Sequence, residues 1–171
     1  MARPGCRGRT VTLVLFATPS LDHRVCMDFF CSSLETQRLL MAAGIGQGYI
    51  QIGGDCYLAK VRNKLVAQFL AHADATDLFF LDDDIGWQPE KVIEFLSRPE
   101  EVVAGIYPKK SDDLDFPVEL EADAETGQLI ERDGMVRASA VPTGFLRIKR
   151  AAIERLVAAN GVFRETERGE T

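Results

Sequence analysis

Leu78-Phe79-Phe80-Leu81-Asp82-Asp83-Asp84 sets four apolar residues directly against three carboxylates. A short, continuous apolar run of this kind reads as a strand buried on both faces, as found inside parallel sheets. Three adjacent carboxylates at its carboxyl end repel one another, and in open α/β sheets that end is where ligands bind. A divalent cation is the simplest way to hold such a cluster ionised, because hard cations take oxygen ligands. In an extended segment Asp82 and Asp84 point one way and Asp83 the other. The pair could then share one metal, or divide metal and ribose between them. A solvated turn, with Asp84 capping a helix that opens near Pro89, is the competing reading.

Working outward from this strand, the pattern alternates. Val11–Ala17 (VTLVLFA) is a second apolar, β-rich run, ended by Thr18-Pro19-Ser20. Asp28 to Ala43 has helical spacing and stops at Gly44. Gly48 to Ile52 reads as a short strand closed by Gly53-Gly54-Asp55. Leu58 to Ala73 is an amphipathic helix, with Leu58, Val61, Leu65, Phe69 and Leu70 on one stripe. Pro89 opens a helix to about Ser97, with Glu90 in its first turn, and Val102 to Ile106 is a fourth strand. Strand–helix alternation predicts a mostly parallel sheet flanked by helices. Past Tyr107 the pattern changes to hairpins: Val118–Glu121 with Leu129–Glu131 around Glu125-Thr126-Gly127, then Val136–Val141 with Phe145–Ile148 around Pro142-Thr143-Gly144. Arg150 to Asn160 is a helix stopped by Gly161.

The chain of 171 residues suits one domain, expected over 10–163, between a basic tail at 1–9 and a polar tail at 164–171. With 46% hydrophobic and 27% charged residues it can bury a core, which argues against a disordered chain or a disulfide scaffold. A net charge of −6 argues against general nucleic-acid binding, which needs many phosphate-neutralising Lys and Arg. No apolar run approaches the roughly 18–20 residues of a spanning helix, so no transmembrane segment is expected. Arg3, Arg7 and Arg9 before the run at Val11 superficially suggest a signal peptide, but the run is short and broken by Thr12. A cytoplasmic protein is the expectation. The four cysteines form no CxxC, and reduced thiols are favoured over a zinc site.

Three further segments carry chemistry. Tyr107-Pro108-Lys109-Lys110 ends the fourth strand, where lysines could meet phosphates or simply lie on the surface. Arg62-Asn63 sits near the apolar stripe of the 58–73 helix, and either reaches a nucleotide at the sheet edge or is solvated. In Val141-Pro142-Thr143-Gly144-Phe145 the glycine allows a backbone to approach a ligand closely, though a plain hairpin turn fits equally.

In this order the segments resemble the glycosyltransferases of the GT-A fold, in particular bacterial and phage members. The matching residues are Ala17-Thr18-Pro19, Val61-Arg62-Asn63, Phe80-Leu81-Asp82-Asp83-Asp84-Ile85, Gly105-Ile106-Tyr107-Pro108-Lys109-Lys110 and Pro142-Thr143-Gly144-Phe145. The likeness spans roughly residues 10–158. An acidic triplet alone is common; the ordered set is more specific. The resemblance implies a GT-A-like nucleotide-diphospho-sugar transferase fold and a UDP- or GDP-linked sugar donor. It also implies Mn²⁺ or Mg²⁺ held by Asp84 with Asp82, and an unknown acceptor. It places Asp82 toward the ribose and gives Arg62 a hold on the nucleotide. Thr18 and Pro19 would border the base, and Thr143 and Gly144 would lie near the donor sugar or acceptor. Asn63, Asp83 and Lys109 belong to the same nucleotide-sugar site. The catalytic residues stay unassigned.

One departure stands out. Many relatives carry a later acidic segment, often Glu-Asp before an aromatic, whereas here Arg164 to Thr171 follows with no apolar context. The chain therefore looks shortened at its carboxyl end. A truncated domain that binds a nucleotide or partner without turnover is the main alternative. A sugar-nucleotide nucleotidyltransferase is a lesser one, because a Gly-rich loop after the first strand is missing. An Asp-nucleophile phosphatase would need its acidic motif after the first strand of its fold.

Overall fold

A computed structural model describes residues 12–110 and 114–161. The tails expected at 1–9 and 164–171, Val11, and Ser111 to Asp113 of the polar loop lie outside the described residues. The order is β1 (Leu13–Ser20), α1 (Met27–Ala42), β2 (Gly46–Gly53), α2 (Leu58–Ala71), β3 (Asp77–Leu81), α3 (Pro89–Ser97) and β4 (Val102–Ala104). Then follow β5 (Glu119–Leu120), β6 (Glu131–Arg132), β7 (Met135–Val136), β8 (Ala138–Ala140), β9 (Phe145–Lys149) and α4 (Arg150–Asn160).

The main sheet has the order β2-β1-β3-β9-β4. β1 is parallel to both β2 and β3, and β9 is antiparallel to both β3 and β4. Four strands thus run one way, with β9 inserted against them. The sheet is buried on both faces, and the period-2 alternation of its strands sorts the core. Val14 and Phe16, Phe79 and Leu81, and Phe145 face α1 and α3, where Phe29, Leu40, Val92 and Phe95 meet them. Leu15 and Ala17, Leu78 and Phe80, and Leu146 face the other way, onto Val61, Leu65 and Phe69 of α2 and Ile153 of α4. Each face removes several large side chains from water, at about 1.5–3 kcal/mol apiece.

The helix stops follow from local chemistry. After α1 the chain passes through Gly44 at φ +68°, the left-handed conformation glycine adopts without strain, while the Gly44 and Ile45 amides donate to the carbonyls of Met41 and Leu40. At the other end Cys26 caps α1, its Sγ accepting from the Phe29 amide at 3.3 Å.

Two expectations need correction. Thr18-Pro19-Ser20 does not break β1; these residues are its buried end, paired with Gln51, Ile52 and Gly53 of β2. Proline is accommodated because β1 pairs with β3 only as far as Ala17, so Pro19 stands where one side of the strand is open. The second expected hairpin does not form either. Phe145 and Leu146 are buried, and their strand enters the main sheet between β3 and β4, while β8 pairs with β5. Of the first hairpin, the turn is present, with an isolated bridge between Ala122 and Leu129 and Asp123 accepting from the amides of Glu125 and Thr126. β6 instead pairs with β7.

Candidate active site at the carboxyl edge of the sheet

Because β9 runs against its neighbours, its beginning lies at the edge where β3 and β4 end. The same edge receives the ends of β1 and β2. Thr18-Pro19-Ser20, Asp82-Asp83-Asp84, Tyr107-Pro108-Lys109-Lys110 and Pro142-Thr143-Gly144 therefore belong to one rim. The chain leaves β1 toward β2 on one side and later places β3 on the other. The rim between β1 and β3 is thus a topological switch point, the usual crevice in an open α/β sheet.

Asp82 is the best-positioned group. Its Oδ1 accepts from Arg62 Nη2 at 2.9 Å, and its amide donates to the Gly144 carbonyl at 2.9 Å. Arg62 reaches it from α2, whose apolar stripe (Val61, Leu65, Phe69) turns the helix so that the guanidinium faces the sheet end. Burial pushes the Asp82 carboxyl above the ordinary range, and this outweighs the opposing pull of Arg62; Asp84 and Asp83 add to the rise by repulsion. The Tyr107 hydroxyl accepts from the Gly144 amide at 2.9 Å, and its phenol is raised by burial and by the Asp82 charge. Gly144 is buried between these groups, with Asp82 Oδ2 and Tyr107 Oη occupying the volume a Cβ would fill.

The triplet is not an extended segment. The chain turns at Asp83-Asp84, so the alternation of a strand does not govern the three carboxylates. Asp84 is exposed and accepts from Lys110 Nζ at 2.6 Å, which raises the lysine's pKa. Asp84 does not cap α3 either; the residue at that position is Gln88, with no side-chain cap bond. Lys109 points elsewhere and pairs with Asp115 at 2.5 Å, so of the two lysines it is Lys110 that reaches the triplet. Asn63 lies on the exposed side of α2, away from the Arg62 contact, while Thr18 and Pro19 are buried at the end of β1.

The loop after β3 is fastened to α1. The Cys26 amide donates to the Asp83 carbonyl at 2.9 Å, and Trp87 Nε1 donates to Thr36 Oγ1 at 2.9 Å. The Trp87 ring meets Phe29 edge-on at 5.2 Å between centroids. These contacts, and the Tyr107–Gly144 bond, were not legible in the sequence, because they join residues that share no motif. Cys26, Cys31 and Cys56 are free thiols, and Cys6 lies outside the described residues. Among the described residues no three His, Cys, Asp or Glu side chains gather as a metal-binding group. Asp82 and Asp84 remain two hard oxygen donors close enough to repel each other. A cation there would draw its remaining ligands from water or from a bound phosphate.

A cleft of about 610 Å³ lies beside the rim, between β4 and the small hairpins, lined by Val102, Ile106, Leu120, Ile130, Val136 and Val141 among others. Among the described residues no helix is long and apolar enough to cross a membrane.

No protein-family model matches this chain, and no curated protein matches it. Among solved structures, it is similar to the crystal structure of A197 from STIV. The two share 22% sequence identity and a TM-score of 0.55, over 84% of this chain and 68% of that one. At that identity the likeness concerns the fold alone: a mixed α/β domain with a mostly parallel sheet between helices and with antiparallel hairpins.

Proposed function

We propose that this chain is a GT-A-like, metal-dependent glycosyltransferase domain that takes a sugar from a nucleotide-diphosphate donor. The observation that carries the reading is the rim itself. A half-buried carboxylate held by Arg62, a second carboxylate held by Lys110, and the Thr143-Gly144 turn meet at the switch-point edge of the sheet. Asp84 with Asp82 would hold Mn²⁺ or Mg²⁺, whose charge would stabilise a departing diphosphate. The Asp84–Lys110 pair is solvent-exposed on both sides, so separating it costs only about 0–1 kcal/mol. Lys110 is then within reach of an anion bound beside Asp84. Arg62 orients Asp82 and, as a fixed cation at the sheet end, favours a phosphate or ribose oxygen nearby. Thr18 and Pro19 form the floor on the β1 side.

Thermal unfolding with UDP and GDP, each with and without Mn²⁺, tests this directly. A ligand that binds only the native state raises the melting temperature by mass action. The expected result is a rise that needs nucleotide and metal together and vanishes in Asp84→Ala. That variant should melt close to wild type without ligand, because the Asp84–Lys110 pair is exposed. No shift with either nucleotide would withdraw the donor site and favour a non-catalytic interaction domain.

A further inference from the structure

Helix α1 is apolar on two sides. One side, Phe29, Thr36 and Leu40, is buried against the sheet. At 3.6 residues per turn, Met27, Phe30, Leu34 and Met41 fall within about 60° of one another on a different side. They are 71%, 50%, 52% and 69% exposed, respectively. The sheet and α3 cover the first side, and the second apolar stripe has no such cover among the described residues.

We propose that this second face is where two copies of the chain pair, α1 against α1 in antiparallel sense. The stripe is its own complement. Leu34 stands midway in sequence between Met27 and Met41, and also midway between Phe30 and Arg38. A two-fold axis at Leu34 therefore sets leucine on leucine and methionine on methionine. It also lays the Arg38 guanidinium against a Phe30 ring across the axis, a favourable cation–π contact. The spacing follows the 3.5-residue repeat with which two helices interlock. Charge permits the approach. Although the chain carries −6 overall, the charges flanking the stripe are Arg38 and Glu35, which are ion-paired with each other.

Each of the four apolar side chains keeps half or more of its surface open to a partner. With the flanking residues a symmetric pair would come near the roughly 1,000 Å² that a specific but weak interface needs. A reversible dimer with a micromolar dissociation constant is expected, and it does not depend on the proposed activity.

Sedimentation velocity of the full chain over a concentration series tests the proposal. The expected result is a monomer–dimer equilibrium in which Leu34→Glu weakens association by more than about tenfold while the melting temperature holds. Phe30→Glu, at an independent point on the stripe, should act the same way. A monomer at every concentration up to the sub-millimolar range would overturn the proposal. So would a dimer that neither substitution affects. A monomer that co-floats with phosphatidylcholine vesicles through these same residues would give the face to a lipid surface instead.

Discussion

At position 144 there is no room for a methyl group. A Cβ there would lie 2.5 Å from Asp82 Oδ2 and closer still to Tyr107 Oη. Both oxygens belong to side chains already held in place, Asp82 by Arg62 and Tyr107 by the Gly144 amide. Gly144→Ala should therefore destabilise the fold by about 1–3 kcal/mol in urea unfolding, the usual cost of overpacking. It should also displace Asp82. Asp82 has a pH signature of its own. Its folded pKa is raised above the ordinary 3.8, so between the two values the native state holds more proton than the unfolded chain. Its contribution to stability is thus greatest below 3.8, declines as pH rises through the raised pKa, and is level above. Asp55 and Asp123, lowered chiefly by backbone amide hydrogen bonds, have the opposite slope. Unfolding free energy against pH should show the decline as the difference between wild type and Asp82→Asn; a flat difference would mean Asp82 ionises as an ordinary surface carboxylate.

Among the elements, β9 shows most clearly what sequence reading captures and what it misses. Phe145–Ile148, next to the turn at Pro142-Thr143-Gly144, reads as half of a hairpin with Val136–Val141. The structure instead buries Arg147 completely. Its guanidinium donates to the carbonyls of Phe95, Arg98 and Glu100, in the last turn of α3 and the segment that follows it, and lies 3.8 Å from Asp77. Burial lowers its pKa, with Asp77 acting against that. Periodicity cannot distinguish an arginine facing water from one capping a helix beneath the sheet. Arg147→Met should cost about 3–5 kcal/mol in chemical denaturation, because the Arg98 and Glu100 carbonyls lose a donor and the buried Asp77 carboxylate loses its nearby positive charge. The helices were far more legible: α3 and α4 begin and end where Pro89, Ser97, Arg150 and Gly161 indicate.

For the whole molecule, the strand–helix order through Ala104 was readable because each buried strand is a continuous apolar run and each helix carries a stripe. The rim was readable only as separate fragments. Arg62, Asp82 and Gly144 could be picked out one by one, but their mutual contacts depend on β9 entering the sheet backwards. That insertion also governs how the chain comes together. β3 and β4 never touch; each pairs with β9 alone on that side. During synthesis the first three strands can assemble as soon as they emerge, whereas β4 must wait, unpaired, while the hairpin segment is made. The sheet closes only when residues 145–149 pair with β3 on one side and β4 on the other. Pairing between strands so far apart in sequence forms slowly as a rule, and Gly144 and Asp82 have their final neighbours only once β9 is paired with β3. The rim therefore depends on a strand made long after Asp82 itself, and a substitution that weakens β9 pairing should disturb the site before it disturbs β1 to β3.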